Sequence, residues 1–276
     1  MGKTLYVTDL DGTLLNRESR VSPVSIEIIN RLVAQGMLFT YATARSLISA
    51  SVAARGLSVD IPVIAYNGVF IMRPSTGEIL SREGFAGKET DVIRTALEEH
   101  GAKLLVYSLL DGEEKVFWVA GEENEGIRDY LARRKGDRRL HPVDSRVGLY
   151  QGDMFYFTCI GGREELAPLY EKLSRDGRLY CTFKQELYRP EYWLEIMPAR
   201  ATKAYAVKKL KKLWGCDRVV SFGDAANDIP MFEASDEAYA VENAAEELKV
   251  HATGIIGSNE NDGVARWLEA HACPER

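Results

Sequence analysis

The chain has 276 residues, 46% of them hydrophobic and 28% charged, with a net charge of −6. That length and balance describe one large or two ordinary globular domains with a sizeable core and argue against disorder. The acidic excess argues against a general nucleic-acid binder while leaving room for a local basic site. Cys159, Cys181, Cys216 and Cys273 show neither zinc spacing nor a disulfide framework and read as reduced thiols of a cytoplasmic protein. "MGKTLYVTD" reaches charge too soon for a signal peptide, and Tyr6 stands where a myristoylation motif wants Ser or Thr. No run approaches the roughly eighteen apolar residues of a membrane span. A soluble protein is expected, with no membrane or nucleic-acid partner and no obligate protein partner evident.

In chain order, "TLYVTD" is a short apolar strand that ends in acids. "SPVSIEIINRLVAQG" predicts a helix, with Ser22 as N-cap, Pro23 in the first turn, Ile28, Ile29, Leu32 and Val33 on one face, and Gly36 as stop. "MLFTYAT" and "PVIAYN" read as strands with the apolar helix "LISASVAARG" between them. The rhythm then changes. "VFIMRPSTGEILSRE" and "LLVYSLLDGEEKVFWVA" each predict a hairpin, turning at Ser75-Thr76-Gly77 and at Asp111-Gly112. Helices "ETDVIRTALEEH", "EGIRDYLARRK" and "REELAPLYEKLSRDG" separate these from strands "DMFYFTCI" and "LYCTF". From "TKAYAVKKLKKLWG" onward helix and strand alternate again, through "RVVSFGD" and "AYAVEN" to a closing helix at "DGVARWLEAH". The expected architecture is α/β: a Rossmann-like parallel-sheet core over residues 1–83 and 192–276, interrupted by an α+β cap module at 84–191.

The first strand ends in "YVTDLDGTLL", where Asp9 and Asp11 stand two residues apart. Like charges this close repel unless a cation, a proton or hydrogen-bond donors offset them. Parallel strands deliver their carboxyl ends to one edge, where open α/β sheets bind ligands. If "YVTD" and "VVSFGD" are neighbours, Asp9, Asp11 and Asp224 converge, with Asn227 and Asp228 a turn further on. Such a hard-oxygen set suits Mg²⁺. "YATAR" adds the Thr43 hydroxyl, backbone donors and the Arg45 cation, and Lys203 opens the first helix after the module. A metal, a lysine and a threonine around one carboxylate suit phosphoryl transfer through an aspartyl-phosphate.

Each piece alone also fits a plainer role. Asp-Gly is a common turn, and "GDAAND" is also a capped helix start. Thr43 alone fits a capping or solvent hydroxyl, and Lys203 a solvated lysine-rich face. An EF-hand fails, because its loop needs Gly at the sixth position and here it comes at the fourth. "RRKGDRR" (133–139) fits a solvated helix end and loop of the cap, or a phosphate or nucleic-acid contact. Tyr150, Phe155, Tyr156, Phe157 and Trp193 fit a core or a stacking surface. Order along the chain decides for the Asp-Gly turn, "GDAAND", Thr43 and Lys203, while the basic run and the aromatics keep both readings.

Asp9-Leu10-Asp11-Gly12-Thr13, Thr43, Lys203 and Gly223-Asp224-x-x-Asn227-Asp228 resemble the four-motif series of the haloacid dehalogenase superfamily. "ATAR", Tyr66-Asn67-Gly68, "NDIPM" and "NDGVARWLE" extend the likeness to Cof-type phosphatases, which carry a large α/β cap between the second and third motifs. The resemblance implies that Asp9 is the nucleophile. It implies that Asp11 protonates the leaving oxygen and then deprotonates the attacking water. Mg²⁺ would be held by Asp9, the Asp11 backbone carbonyl and Asp224, with Asp228 in support. The phosphate would be held by Thr43, Lys203, Asn227 and the backbone amides of Leu10 and Ala44. Arg45 and Asn67 join the expected substrate contacts. Tyr188, Arg189, Glu191 and Glu195, near the return from cap to core, are further candidates. Family members commonly have glycine where Ala44 and Ala204 stand, which bears on substrate fit rather than on the reacting groups.

The expected function is therefore a Mg²⁺-dependent phosphatase of small phosphorylated metabolites such as sugar phosphates. A phosphosugar mutase of the same fold is the near alternative. A binding module that kept the fold without turnover is the distant one, and no motif side chain is missing to favour it.

Overall fold

The computed structural model describes residues 2–186 and 189–272. Strand β1 (Thr4–Thr8) leads into the acidic turn. Helix α1 (Pro23–Ala34) starts where the Ser22 hydroxyl accepts from the Ser25 amide at 3.0 Å, and it buries Ile28, Ile29, Leu32 and Val33. Gly36, with φ of 98°, supplies its left-handed stop. Then come β2 (Leu38–Tyr41), α2 (Leu47–Ala53), β3 (Val63–Ala65), β4 (Phe70–Met72) and β5 (Ile79–Arg82). Strands β3, β4 and β5 form an antiparallel meander, and Ala42 bridges Ile64 in parallel beyond the end of β2.

Contacts divide the chain into two units, one formed up to Arg82 and from Ala201 onward, the other by Glu83–Arg200. The second unit runs α3 (Gly87–Glu99), β6 (Leu104–Leu110), β7 (Glu113–Val119), α4 (Glu125–Ala132), β8 (Leu140–Val143), β9 (Asp153–Gly161), α5 (Arg163–Leu173), β10 (Leu179–Gln185) and β11 (Tyr192–Pro198). Its sheet has the order β10-β11-β9-β6-β7-β8, antiparallel except for the β7–β8 pair. Helices α3 and α5 lay Ile93, Leu97, Leu166 and Leu169 against Val106, Phe157, Leu194 and Ile196. The hairpin turn has φ of 52° at Asp111 and 80° at Gly112, the paired left-handed conformation of a tight two-residue loop.

The boundary expected at 192 is corrected to Ala201. Strand β11 pairs with both β9 and β10, so "YWLEIMP" is an interior strand of the inserted sheet. The basic run is corrected in part. Arg139 is buried, donating to Glu114 Oε1 over 2.5 Å and to Asp137 Oδ2 over 2.6 Å. Neighbouring acids, rather than solvent, neutralise it.

The first unit resumes with α6 (Lys203–Leu213), β12 (Arg218–Gly223), α7 (Ile229–Glu233), β13 (Glu237–Val241), α8 (Glu246–Lys249), β14 (Gly254–Ile256) and α9 (Gly263–His271). Its sheet, in the order β14-β13-β12-β1-β2, is parallel throughout. Consecutive residues Leu5 to Thr8 and Val219 to Phe222 are buried, so both faces are covered. Helix α1 packs on α9, and α6 on α7. Asp262 Oδ1 accepts from the hydroxyls of Ser22 and Ser25, tying the start of α1 to the start of α9.

Candidate active site

Register decides the site. Thr8 stands beside Phe222 in the parallel β1–β12 pair, so Asp9 and Asp224 leave adjacent strand ends at one level. The Asp9 amide donates to the Phe222 carbonyl at 2.9 Å, which extends the ladder one residue into the turn. Glycine then makes room. Gly12 has φ of 77°, and a methyl there would meet Asp224 Oδ2 at 2.3 Å. A methyl on Gly223 would meet Asp228 Oδ2 at 2.7 Å.

Asp228 closes the turn Ala226–Asp228 after β12. Its Oδ2 accepts from the amides of Asp224 at 3.1 Å and Ala225 at 3.2 Å. Lys203 is the first residue of α6, whose start is capped by the Thr202 hydroxyl accepting from the Tyr205 amide at 3.1 Å. Its ammonium donates to Asp9 Oδ1 over 2.5 Å and to Asp228 Oδ1 over 2.6 Å. At 2% exposure, Lys203 is no member of the solvated face that its lysine-rich helix suggested.

Thr43 is fully buried, and its hydroxyl accepts from the Arg45 amide at 3.1 Å. Its carbonyl accepts from the Asn67 amide at 2.8 Å, and the Arg45 carbonyl from the Tyr66 amide at 3.0 Å. Leu10 is buried, with its carbonyl accepting from Thr13, Leu14 and Leu15. Ala44 is half-buried between Thr43 and Arg45, and Asn227 is half-buried beside Asp228. The Asp11 carboxylate turns to Arg45, which grips it at two points, and so lies outside the trio of acids around Lys203.

Arg189 and Glu191 belong to the second unit. There Arg189 donates to Asp129 Oδ1 over 3.0 Å and pairs with Glu191 at 3.6 Å. Glu195 is buried in β11 and accepts from the Thr182 hydroxyl at 2.9 Å. The Tyr188 expectation lies outside the described residues. Two supports escaped the sequence reading. Thr13 Oγ1 donates to Asp224 Oδ1 over 3.0 Å, and Asn243 Nδ2 donates to the Gly12 carbonyl over 2.8 Å. Asn243 follows β13, so its place just past a parallel strand's carboxyl end was the available signal.

The electrostatics are those of a crowded anionic site. Burial pushes the Asp9 carboxyl up to about 6, against the pull of Lys203 and with Asp228 and Asp11 adding to the rise. Asp224 is raised well above the carboxylate range, first by burial and then by Asp9 and Asp228. Burial pulls Lys203 down, but Asp228 and Asp9 outweigh it and hold the ammonium charged. Asp9, Asp224 and Asp228 each offer an oxygen within 4.8 Å of the others. Three carboxyl groups around one ammonium gather hard oxygen donors at one point, and such a donor set fits a divalent cation.

An acidic, lysine-bridged cluster at the carboxyl edge of a parallel sheet is the build of an enzyme that handles phosphate esters. Residues 6–268 match the family model of the haloacid dehalogenase-like hydrolases, and the chain belongs to that family as a Cof-type phosphatase. It is similar to the 5-amino-6-(5-phospho-D-ribitylamino)uracil phosphatase YwtE of Bacillus subtilis, 28% identical with 95% of each chain covered. The pyridoxal phosphate phosphatase YbhA of Escherichia coli is 23% identical, over 98% of this chain and 99% of its own. A solved structure from Thermotoga maritima is 25% identical with a TM-score of 0.78, covering 99% of this chain and 98% of that one.

Proposed function

We propose that the protein hydrolyses small phosphorylated metabolites, with Mg²⁺ as cofactor, through an aspartyl-phosphate on Asp9. The observation that carries this reading is the buried Lys203 ammonium shared by Asp9 and Asp228 beside Asp224. It keeps a nucleophilic carboxylate ionised where burial alone would protonate it.

In the first step a carboxylate oxygen of Asp9 bonds to phosphorus as the bond to the leaving oxygen breaks, and Asp11 gives that oxygen its proton. In the second, Asp11 takes a proton from water as the water oxygen bonds to phosphorus. The acyl-phosphate bond breaks, phosphate leaves, and Asp9 is restored. Thr43, Lys203, Asn227 and the amides of Leu10 and Ala44 hold the phosphoryl oxygens, with Arg45 and Asn67 near them. Asp9, Asp224 and the Asp11 carbonyl would hold the dication, with Asp228 in support, and its charge would offset the repulsion between the Asp9 carboxylate and the phosphoryl oxygens.

Two relatives carry names that specify phosphorylated small molecules, which supports a substrate of that size. The inserted unit is the proposed reader of the leaving group, through Arg189 and Glu191. Free thiols at Cys159, Cys181 and Cys216 support a cytoplasmic location, and no described helix is long and apolar enough to cross a membrane.

The test is phosphate release from a panel of phosphorylated metabolites by purified protein with Mg²⁺ and with chelator. Metal-dependent release without a bisphosphate activator is expected. Transfer back to substrate would make the protein a mutase, and binding without turnover would make it a sensor.

A further inference from the structure

Asp11 and Arg45 meet in a two-point contact. Arg45 Nε donates to Asp11 Oδ2 over 2.7 Å, and Nη2 donates to Oδ1 over 2.6 Å. The two residues follow adjacent parallel strands, β1 and β2. Arg45 is itself fixed at three places: its amide on Thr43 Oγ1, its carbonyl under the Tyr66 amide, and Nη1 on Ser49 Oγ at 3.4 Å. The Asp11 side chain is 43% exposed, against 24% for Arg45. An aspartate that open, on a turn, has room to change rotamer. A guanidinium fork fixes both the place and the plane of a carboxylate, which a lysine point charge does not.

We propose that Arg45 is a positioning residue for Asp11, aiming its carboxyl at the oxygen that leaves phosphorus. This rests on the reading of Asp11 as the proton donor. The fork takes one lone pair on each carboxyl oxygen, and the transferred proton occupies another. In the step concerned, the Asp11 O–H bond breaks and its proton goes to the leaving oxygen as the phosphorus–oxygen bond breaks. Two of the guanidinium's donors are committed to Asp11, which distinguishes Arg45 from the phosphate ligands around Lys203. A misaimed acid costs most when the leaving oxygen is strongly basic, and least when an aryl group stabilises the departing anion. General acid catalysis contributes about 10²–10⁴-fold, which bounds the effect.

The experiment measures kcat and KM of the full-length enzyme on esters from nitrophenyl phosphate to alkyl phosphates. It compares wild type, Arg45→Met, Arg45→Lys, Asp11→Asn and the Arg45→Met/Asp11→Asn pair. Arg45→Met should lose about tenfold or more in kcat on alkyl esters beyond its loss on nitrophenyl phosphate. Arg45→Lys should lose less, and the double variant should be no more leaving-group dependent than Asp11→Asn. Equal losses on every ester, or a rise in KM alone, would overturn the proposal and make Arg45 a scaffold or a phosphate contact. If Asp11→Asn itself leaves the dependence unchanged, the acid assignment fails and the proposal falls with it. If Arg45→Met does not fold, the Arg45→Lys series decides by the same criterion.

Discussion

Lys203 donates to Asp228 over 2.6 Å where neither side chain is more than 1% exposed. One residue opens α6 and the other closes the turn after β12, so the pair joins two segments of the first unit at its centre. Removing one partner of a buried charge pair costs about 3–5 kcal/mol, because the other is left uncompensated. Lys203→Met should therefore lower the metal-free unfolding free energy by about 3 kcal/mol or more and abolish turnover. Adding Asp228→Asn should return part of the stability and none of the activity. Urea unfolding of the four proteins of this double-mutant cycle measures the coupling, and additive losses would show that the pair is not coupled.

Asp9→Asn keeps shape and an oxygen for Lys203 while removing a buried charge and the proposed nucleophile. Turnover should fall by more than about 10³-fold, and the metal-free protein should melt no lower than wild type. Phosphate release near the wild-type rate would exclude the covalent route.

The acid cluster also sets a pH dependence. Burial first, with Asp228 and Asp11 adding and Lys203 opposing, raises Asp9 from 3.8 to about 6 in the folded chain. Between those values the folded state binds the proton more often than the unfolded chain. This group's contribution to metal-free stability thus falls as pH rises from about 4 to about 6. A dication takes ionised carboxylates, so its stabilisation runs the other way. Mg²⁺ should raise Tm more at about pH 7.5 than at about pH 5. Thermal scans in chelator and in Mg²⁺ at both values check this, and equal shifts would contradict it.

Gly68 follows two left-handed residues, Tyr66 with φ of 50° and Asn67 with φ of 54°. Its own φ is 108°, and a methyl there would meet the Thr202 carbonyl at 2.3 Å. Gly68→Ala should cost about 1–3 kcal/mol in strain. It should also lower kcat on every substrate, because Thr202 caps the helix that begins with Lys203. Unchanged kcat in a destabilised variant would show that Lys203 is placed independently of this turn.

For the inserted unit, alanine at Arg189 or Glu191 should change relative kcat/KM among phosphorylated metabolites. Aryl-phosphate hydrolysis should stay within about tenfold, near 1.4 kcal/mol of barrier. Equal losses on all substrates would assign these residues to folding, through the Asp129 and Glu191 pairings of Arg189.

The parts of the fold legible in sequence were those with a local physical signal. Ser22, Pro23 and Gly36 bracket α1, and Asp111-Gly112 marks the β6–β7 turn, as their backbone preferences dictate. Strand β11 was missed because its status depends on pairing with β9 and β10, which no local pattern records. The short β8 and β14 escaped for the same reason. At the site, Asp9, Asp224, Asp228 and Lys203 were foreseeable from strand ends and motif order. That Lys203 is buried was not, since its helix neighbours Lys208, Lys209, Lys211 and Lys212 read as a solvated face. Nor was the Arg45 fork on Asp11, which needs the relative height of two loops.

The sheet order has a consequence for how the protein is made. Strand β1 is translated before every other strand of its sheet, and one of its two neighbours, β12, follows more than two hundred residues later. The second unit, whose strands all lie within Glu83–Arg200, has every partner it needs before β12 exists. The nascent chain thus carries β1 with one hydrogen-bonding edge open while an intervening unit forms. Among the described strand pairs, this one closes the longest stretch of chain, so its loop-closure entropy places it late in assembly. Asp9 and Asp224 meet in that same event. A truncated or stalled chain ending before β12 holds no assembled acid cluster, and an open apolar edge makes it a substrate for chaperones rather than a premature hydrolase.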